Sequence, residues 1–257
     1  VTSFICGVVI SKRFLKTVEQ FTNNIQKIKS DGFEHRLKIE GNDELAMLGR
    51  EFNETISLAH QALKQQDQFV SDASHELKTP LAIIKGNIEM LQRWGKDDQE
   101  ILNNGLEVAH SEVERLAQLC NELLHLTREM KIQCDNPIEV EPIVEEIVNN
   151  FKEMHPEFEY AITINSSDQV WMQPEHLKQL LIILIDNAIK YARDDSKKIE
   201  ISYDSLKLKV KDYGIGIDTD KIEYIFDRFY RADESRAQNN NNFGLGLAIA
   251  KRVCSSY

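Results

Sequence analysis

The chain has 257 residues, of which 42% are hydrophobic and 28% charged, enough apolar content for packed cores in about one to two domains. Lys+Arg number 31 against Asp+Glu 42, so the net charge of −11 argues against a nucleic-acid surface, which wants a basic patch. The four cysteines (Cys6, Cys120, Cys134, Cys254) form no CxxC pair, so a zinc site or disulfide framework is not expected, and a reducing cytosolic setting fits.

Val1–Ile10 is apolar and is followed by Lys12 and Arg13. A membrane helix needs about 20 apolar residues, so this stretch reads as the end of one, over 1–11. The basic residues after it place the rest of the chain in the cytoplasm, as part of a membrane-anchored protein. Phe14, Val18, Phe21, Ile25 and Ile28 then alternate four and three apart, the mark of a short coiled-coil helix. A break at Ser30-Asp31-Gly32 and an extended connector, Phe33–Gly41, lead to a second helix with Asn42 as its N-cap. Leu37 and Ile39, two apart in the connector, are placed to plug into a bundle. Helix, connector and helix after a membrane span resemble a HAMP signal-relay domain, here 12–64, with Asp43-Glu44-Leu45 and Phe52-Asn53 similar to its second helix. An early proline usual in that family is absent; Thr17 stands near its place. Read from the residues alone, an ordinary coiled-coil linker is the alternative.

The second helix meets no breaker and is expected to run from about Asp43 to Trp94. Val70, Leu77, Ile84 and Leu91 recur every seven residues, with Ala73 and Ile88 between them, which makes one apolar seam. His75 falls opposite that seam, exposed at mid-helix, with Glu76 beside it and Pro80 a turn later to bend the backbone. After a turn at Gly95–Asp98, a helix is expected from about Gln99 to Met130. Leu102, Ala109, Leu116 and Leu123 form one heptad row, and Leu106, Val113, Cys120 and Thr127 the other. Such a hairpin cannot bury its own seam, so two copies should form a four-helix bundle, a homodimer.

The stretch Ser74-His75-Glu76-Leu77-Lys78-Thr79-Pro80-Leu81 resembles the phosphoacceptor box of sensor histidine kinases. The resemblance implies that His75 takes a phosphoryl group from ATP and passes it to an aspartate of a response regulator. Glu76 would accept the imidazole proton or fix its tautomer; its bland alternative is a solvated helix carboxylate. Thr79, on the same face, would position water to dephosphorylate the regulator; its alternative is a hydroxyl bonded back to the helix. The dimerisation and phosphotransfer hairpin would span 65–130, with a polar linker at 131–136.

The pattern then changes to an α+β domain over 137–257. A helix with Pro142 in its first turn runs through Met154. Strands are expected at Phe158–Ile164, Val170–Met172, Ile199–Tyr203 and Leu206–Lys211, with a buried helix from Pro174 to about Ala192. Three stretches there suit a nucleotide. Asp186–Tyr191, at the end of the buried helix, gives Asn187 an amide oxygen for Mg²⁺ and Lys190 a charge for phosphate. Asp212-Tyr213-Gly214-Ile215-Gly216 follows a strand, with glycines for a tight turn. Phe243–Ala250 is a glycine-bearing entry to a helix, whose free N–H groups favour phosphate. With Ile225–Arg231 between the last two, they resemble the N, G1, F and G2 boxes of the histidine-kinase catalytic domain, the ATP-binding sandwich of gyrase and Hsp90. By that resemblance Asn187 holds Mg²⁺, Lys190 and Tyr191 contact the nucleotide, and Asp212 reads adenine. Gly214 and Gly216 shape the pocket, Arg231 approaches the terminal phosphate, and Gly244, Leu245 and Gly246 flank the phosphates. Residues from about Ala232 to Asn242 would be a mobile lid.

Three departures from the family stand out. Ile183 replaces an asparagine often found four residues before Asn187. Asn241-Asn242-Phe243 replace the usual glycine pair and small residue before Gly244. The family normally continues past the position of Tyr257, so the domain is expected to be incomplete. The rival readings are a sensor that acts mainly as a phosphatase and a dimeric scaffold with an impaired nucleotide lobe.

Overall fold

The computed structural model describes residues 44–96, 98–127, 136–165, 169–232 and 242–257, together with Cys134 and isolated positions between Ser11 and Ile39. The apolar segment 1–10, the linker (Cys134 and Asn136 apart) and the central lid residues 233–241 lie outside the described residues. Among the described residues no helix is long and apolar enough to cross a membrane. The chain divides into two compact units, 1–74 and 75–257.

The first long helix, α1 (Glu44–Trp94), has the expected extent and continues through Pro80, whose ring is fully buried. In the first unit Leu37 of the connector is bonded to this helix through the Asn53 side chain. Asn53 Oδ1 accepts from the Leu37 amide at 2.9 Å, and Asn53 Nδ2 donates to the Leu37 carbonyl at 3.0 Å. Leu37 and Ala46 are buried there, and a Cβ on Gly49 would come within 3.0 Å of Ile39. The expected plugging of Leu37 and Ile39 therefore takes a concrete form: Leu37 is buried with its backbone paired to the Asn53 amide, and Ile39 lies against Gly49.

In the second unit α1 is followed by α2 (Gln99–Thr127). Gly95 ends α1 by donating to the Leu91 carbonyl at 3.0 Å. Asp98 starts α2, its Oδ1 accepting from the amides of Glu100 (2.9 Å) and Ile101 (3.1 Å), which satisfies two orphan donors. The helices approach closely at Gly105, where a Cβ would meet the Leu91 side chain at 2.7 Å. The buried positions of α2 are Gly105, Leu119 and Leu126. Leu102, Ala109, Leu116 and Leu123 are half-buried, whereas Leu106, Val113, Cys120 and Thr127 are exposed in the single chain. The second expected heptad row thus faces outward.

The remaining elements form an α+β sandwich. Helices α3 (Val140–Met154) and α4 (Pro174–Lys190) cover one face of a sheet made of β1 (Glu159–Ile164), β2 (Lys198–Asp204) and β3 (Lys207–Asp212). The order is β1-β2-β3, with β1 parallel and β3 antiparallel to β2. Ile199, Ile201 and Tyr203 alternate inward from β2. They meet Val144, Ile147, Val148 and Phe151 of α3 and Leu177, Leu181 and Ile185 of α4. The expected strand at Val170–Met172 is only a bridge, Val170 pairing with Ile138. A last helix, α5 (Gly246–Ser255), packs against α4.

Candidate functional site

His75 is exposed on α1, with Glu76 half-buried beside it and Thr79 exposed one turn on. This is the placement read from the seam. Its neighbour Ser74 bonds back to the Val70 carbonyl at 2.7 Å.

The sandwich carries a cavity of about 720 Å³ at the end of α4. Asn187 and Tyr191 line it from α4, Asp212 and Gly216 from the turn after β3, Arg231 from the segment after that, and Gly244 and Gly246 from the entry to α5. Residues up to 63 positions apart in sequence (184 to 247) are therefore gathered on one concave wall.

The loop geometry explains why. The Asp212 carboxylate accepts from the Gly214 amide at 2.9 Å, closing the turn after β3. A Cβ on Gly214 would collide with the Tyr191 carbonyl, and the same carbonyl accepts from the Ile215 amide at 3.1 Å. The turn is thus fastened to the end of α4, and only glycine fits where the two backbones touch. Gly244 has φ +70° and a Cβ there would lie 2.6 Å from the Tyr230 carbonyl. Its own carbonyl accepts from the Phe229 amide at 3.0 Å, which ties the arginine-bearing segment to the α5 entry.

Three expected residues stand elsewhere. Gly214 shapes the turn without lining the cavity. Leu245 is fully buried, so its side chain anchors the helix start beneath the wall. Lys190 pairs with Asp186 at 2.6 Å and lines a second, adjoining cleft of about 1030 Å³. Asn187, Asn242 and Gly246 line both spaces, so the two meet there. His75 lines neither.

The departures from the family pattern also find physical accounts. Ile183 would stand 3.3 Å from a Cβ on Gly246, so its branched side chain packs on the first residue of α5. Asn242 closes an Asx turn, its Oδ1 accepting from the Gly244 amide at 3.1 Å while its Nδ2 donates to the Tyr191 hydroxyl at 3.4 Å. Phe243 is buried, with the Arg115 guanidinium of α2 5.3 Å from its ring centre. Sequence reasoning missed Asn242 as a lining residue. The sequence marked it only as the end of the expected lid and as a replacement for a family glycine, and the turn it forms depends on contacts remote in sequence.

Among the described residues no cluster of three metal-ligating side chains exists. The donor set near Asn187 is one amide oxygen, with Ile183 a turn earlier offering none. Such a set fits a magnesium ion held mostly by phosphate oxygens and water.

Comparisons with known proteins agree with this layout. Residues 9–57 match the model described as "HAMP domain", residues 65–130 "His Kinase A (phospho-acceptor) domain", and residues 172–257 "Histidine kinase-, DNA gyrase B-, and HSP90-like ATPase". The chain is 36% identical over 253 residues to "Signal transduction histidine-protein kinase ArlS" of Staphylococcus aureus (strain USA300), covering 95% of this chain and 56% of that protein. It spans about half the length of the curated relatives it matches. Among solved structures it is similar in fold to the Acinetobacter baumannii histidine kinase AdeS, with TM-score 0.51 and 23% identity over 71% of this chain and 86% of that one. It is also similar to histidine kinase ThkA in complex with response regulator protein TrrA, with TM-score 0.56 and 23% identity over 67% and 53%.

Proposed function

The chain belongs to the two-component sensor histidine kinases, and we propose that it phosphorylates its own His75 from ATP and passes the phosphoryl group to an aspartate of a response regulator. The observation that carries this reading is the common wall formed by Asn187, Tyr191, Asp212, Arg231 and Gly244, in a protein whose exposed His75 lies on a separate helical hairpin. The relatives' modules, in the same order, support it.

The His75 Nε2 lone pair attacks the γ-phosphorus, and the bond to the β,γ-bridging oxygen breaks, leaving ADP. Phosphoryl transfer of this kind rests mainly on positioning and charge neutralisation. Glu76, next on the helix, takes the imidazole proton or holds its tautomer. Asp212 accepts a hydrogen bond from the adenine amino group with the carboxylate oxygen that Gly214 does not use. Arg231 meets the terminal phosphate, and the N–H groups at the start of α5 face the phosphate chain. Magnesium, when bound through Asn187, phosphates and water, would offset phosphate charge. Because His75 lines neither space, transfer requires the nucleotide lobe to move on the linker at 131–136.

The protein works as a homodimer anchored in a membrane, with the residues after Ile10 on the cytoplasmic side. The HAMP match and the apolar Val1–Ile10 before Lys12 support the anchoring. The outward apolar row of the hairpin supports the dimer.

Incubation with γ-labelled ATP and Mg²⁺ should give an acid-labile label that His75→Gln abolishes. A label that survives this change overturns the assignment; no label in either protein supports an impaired scaffold. Exposed Thr79, one turn after His75, favours a second activity, removal of phosphate from the regulator. Thr79→Ala should then slow that removal while leaving the label on His75. Unchanged removal would exclude the role given to Thr79.

A further inference from the structure

Helix α2 presents a polar stripe that its heptad rows do not contain. Arg115, Gln118, Glu122 and His125 are three, four and three apart, so they share one face. Every member meets the nucleotide lobe. Arg115 stacks on Phe243, and the His125 carbonyl accepts from Arg252 Nη1 at 3.4 Å. Gln118 and Glu122 line the larger cleft opposite Asp186, Asn187 and Lys190. The lobe is thus seated on the hairpin, and the seam lines the cleft that meets the nucleotide cavity at Asn187, Asn242 and Gly246.

Two members of that stripe bury a polar atom without a hydrogen-bond partner, Arg115 Nε and Glu122 Oε2, and of the two only Glu122 lines the cleft. One carboxylate oxygen accepts from Gln118 Nε2 at 2.9 Å. The other, Oε2, is buried without a hydrogen-bond partner. A carboxylate left in this way is costly unless something offsets its charge. The cation whose charge acts on it is Lys190, which Asp186 already holds at 2.6 Å. Burial accordingly pushes the Glu122 carboxyl upward, with Asp186 adding to the rise and Gln118 and Lys190 opposing it.

We propose that Glu122 makes two events antagonistic: seating of the lobe on α2, and occupation of the cavity by a nucleotide's phosphate chain. The inference rests on the nucleotide reading above, which puts the phosphate chain at Asn187 and the α5 entry, where the cavity meets the cleft that Lys190 and Glu122 line. A seated Glu122 adds a second carboxylate beside Asp186 where those phosphates would bring further negative charge. The entering phosphates and the seated carboxylate repel one another, and Lys190 cannot serve both. Bound nucleotide therefore frees the lobe, and an empty lobe rests on the hairpin. The coupling is reciprocal, because each event lowers the affinity of the other by the same factor.

The test compares binding of ATP, ADP and adenosine, with Mg²⁺, to the chain and to its Glu122→Gln variant by calorimetry. Glutamine keeps the shape and can still accept from Gln118. The variant should bind ATP about fivefold or more tightly, ADP by a smaller factor, and adenosine unchanged, the low end of ordinary coupling between sites. Unchanged or weaker ATP binding overturns the proposal. So does an equal shift for all three ligands, which would mean the carboxylate acts on the lobe rather than on phosphate charge. Arg115→Ala, which removes the stack on Phe243, tests the seating without touching the carboxylate. It should also tighten ATP, and Glu122→Gln should add little to it. A full additional gain in that background would overturn the seated-lobe account. If the parent chain binds ATP and the variants do not differ from it, the inference fails and the kinase reading stands. If the parent binds none of the three ligands, the kinase reading itself fails.

Discussion

Asp212 closes a turn and, under the proposed function, also reads adenine, and the two roles can be separated. One carboxylate oxygen closes the turn by accepting from the Gly214 amide. The other is the acceptor that the proposed function offers to the adenine amino group. Asp212→Asn can keep the first bond through its amide oxygen, but it turns the second acceptor into a donor. The turn should therefore survive, while ATP binding weakens by about tenfold or more, the cost of a donor facing a donor. Inosine triphosphate, which presents an oxygen in place of the amino group, should lose less than ATP does. Comparison of the two affinities in parent and variant checks this. Equal losses for both nucleotides would mean that Asp212 supports the turn alone. At this scale the sequence was most legible where chemistry is local: His75 stands out because a heptad seam leaves it on the other side. Lys190 was less legible, because Asp186, one turn before it, pairs with its charge and it lines the adjoining cleft instead.

Elements were legible when their periodicity came from their own core. The helices from Glu44, Gln99, Val140 and Pro174 and the pair β2–β3 lie within a few residues of where apolar spacing puts them. Val170–Met172 failed as a strand because its pairing is a bridge to Ile138, 32 positions earlier (170 − 138). The Arg115–His125 stripe was invisible for a different reason: polar residues at helical spacing look like a solvated face until another lobe sits on them. Asn53 lies between these cases. The sequence marked it beside Phe52, yet only the fold shows that its amide grips the Leu37 backbone from both sides. Removal of that grip gives a prediction at the element scale. Asn53→Ala leaves a half-buried N–H and C=O without partners, at a cost of about 1–3 kcal/mol. The Leu37 amide should then exchange its hydrogen about ten- to a hundredfold faster, provided it exchanges by local opening. Asn53→Asp, which retains the acceptor and loses the donor, should fall between. Identical exchange in all three proteins would show that apolar packing of Leu37 holds the connector by itself.

On the scale of the whole molecule, the decisive surface is the outer face of the hairpin. Leu81, Ile88, Leu106 and Val113 are 54%, 45%, 54% and 53% exposed, on two helices that already pack together. Scattered exposed leucines are ordinary, but a row repeated along both helices is the pattern of an unfilled bundle seam. A second copy of the same hairpin would fill it with its own row, and in such an isologous contact each residue counts twice. Val113→Glu therefore places two carboxylates in the seam, each of which costs several kcal/mol if it stays charged and unpaired. The parent chain should sediment as a dimer at micromolar concentration, and the variant as a monomer with the helical content of the parent. Loss of the dimer should also abolish any phosphorylation that passes between subunits, so mixing a His75→Gln chain with an Asp212→Ala chain would restore label only where transfer crosses the dimer. A parent chain that sediments as a monomer at every concentration would leave the outward row without its partner and the four-helix bundle without support.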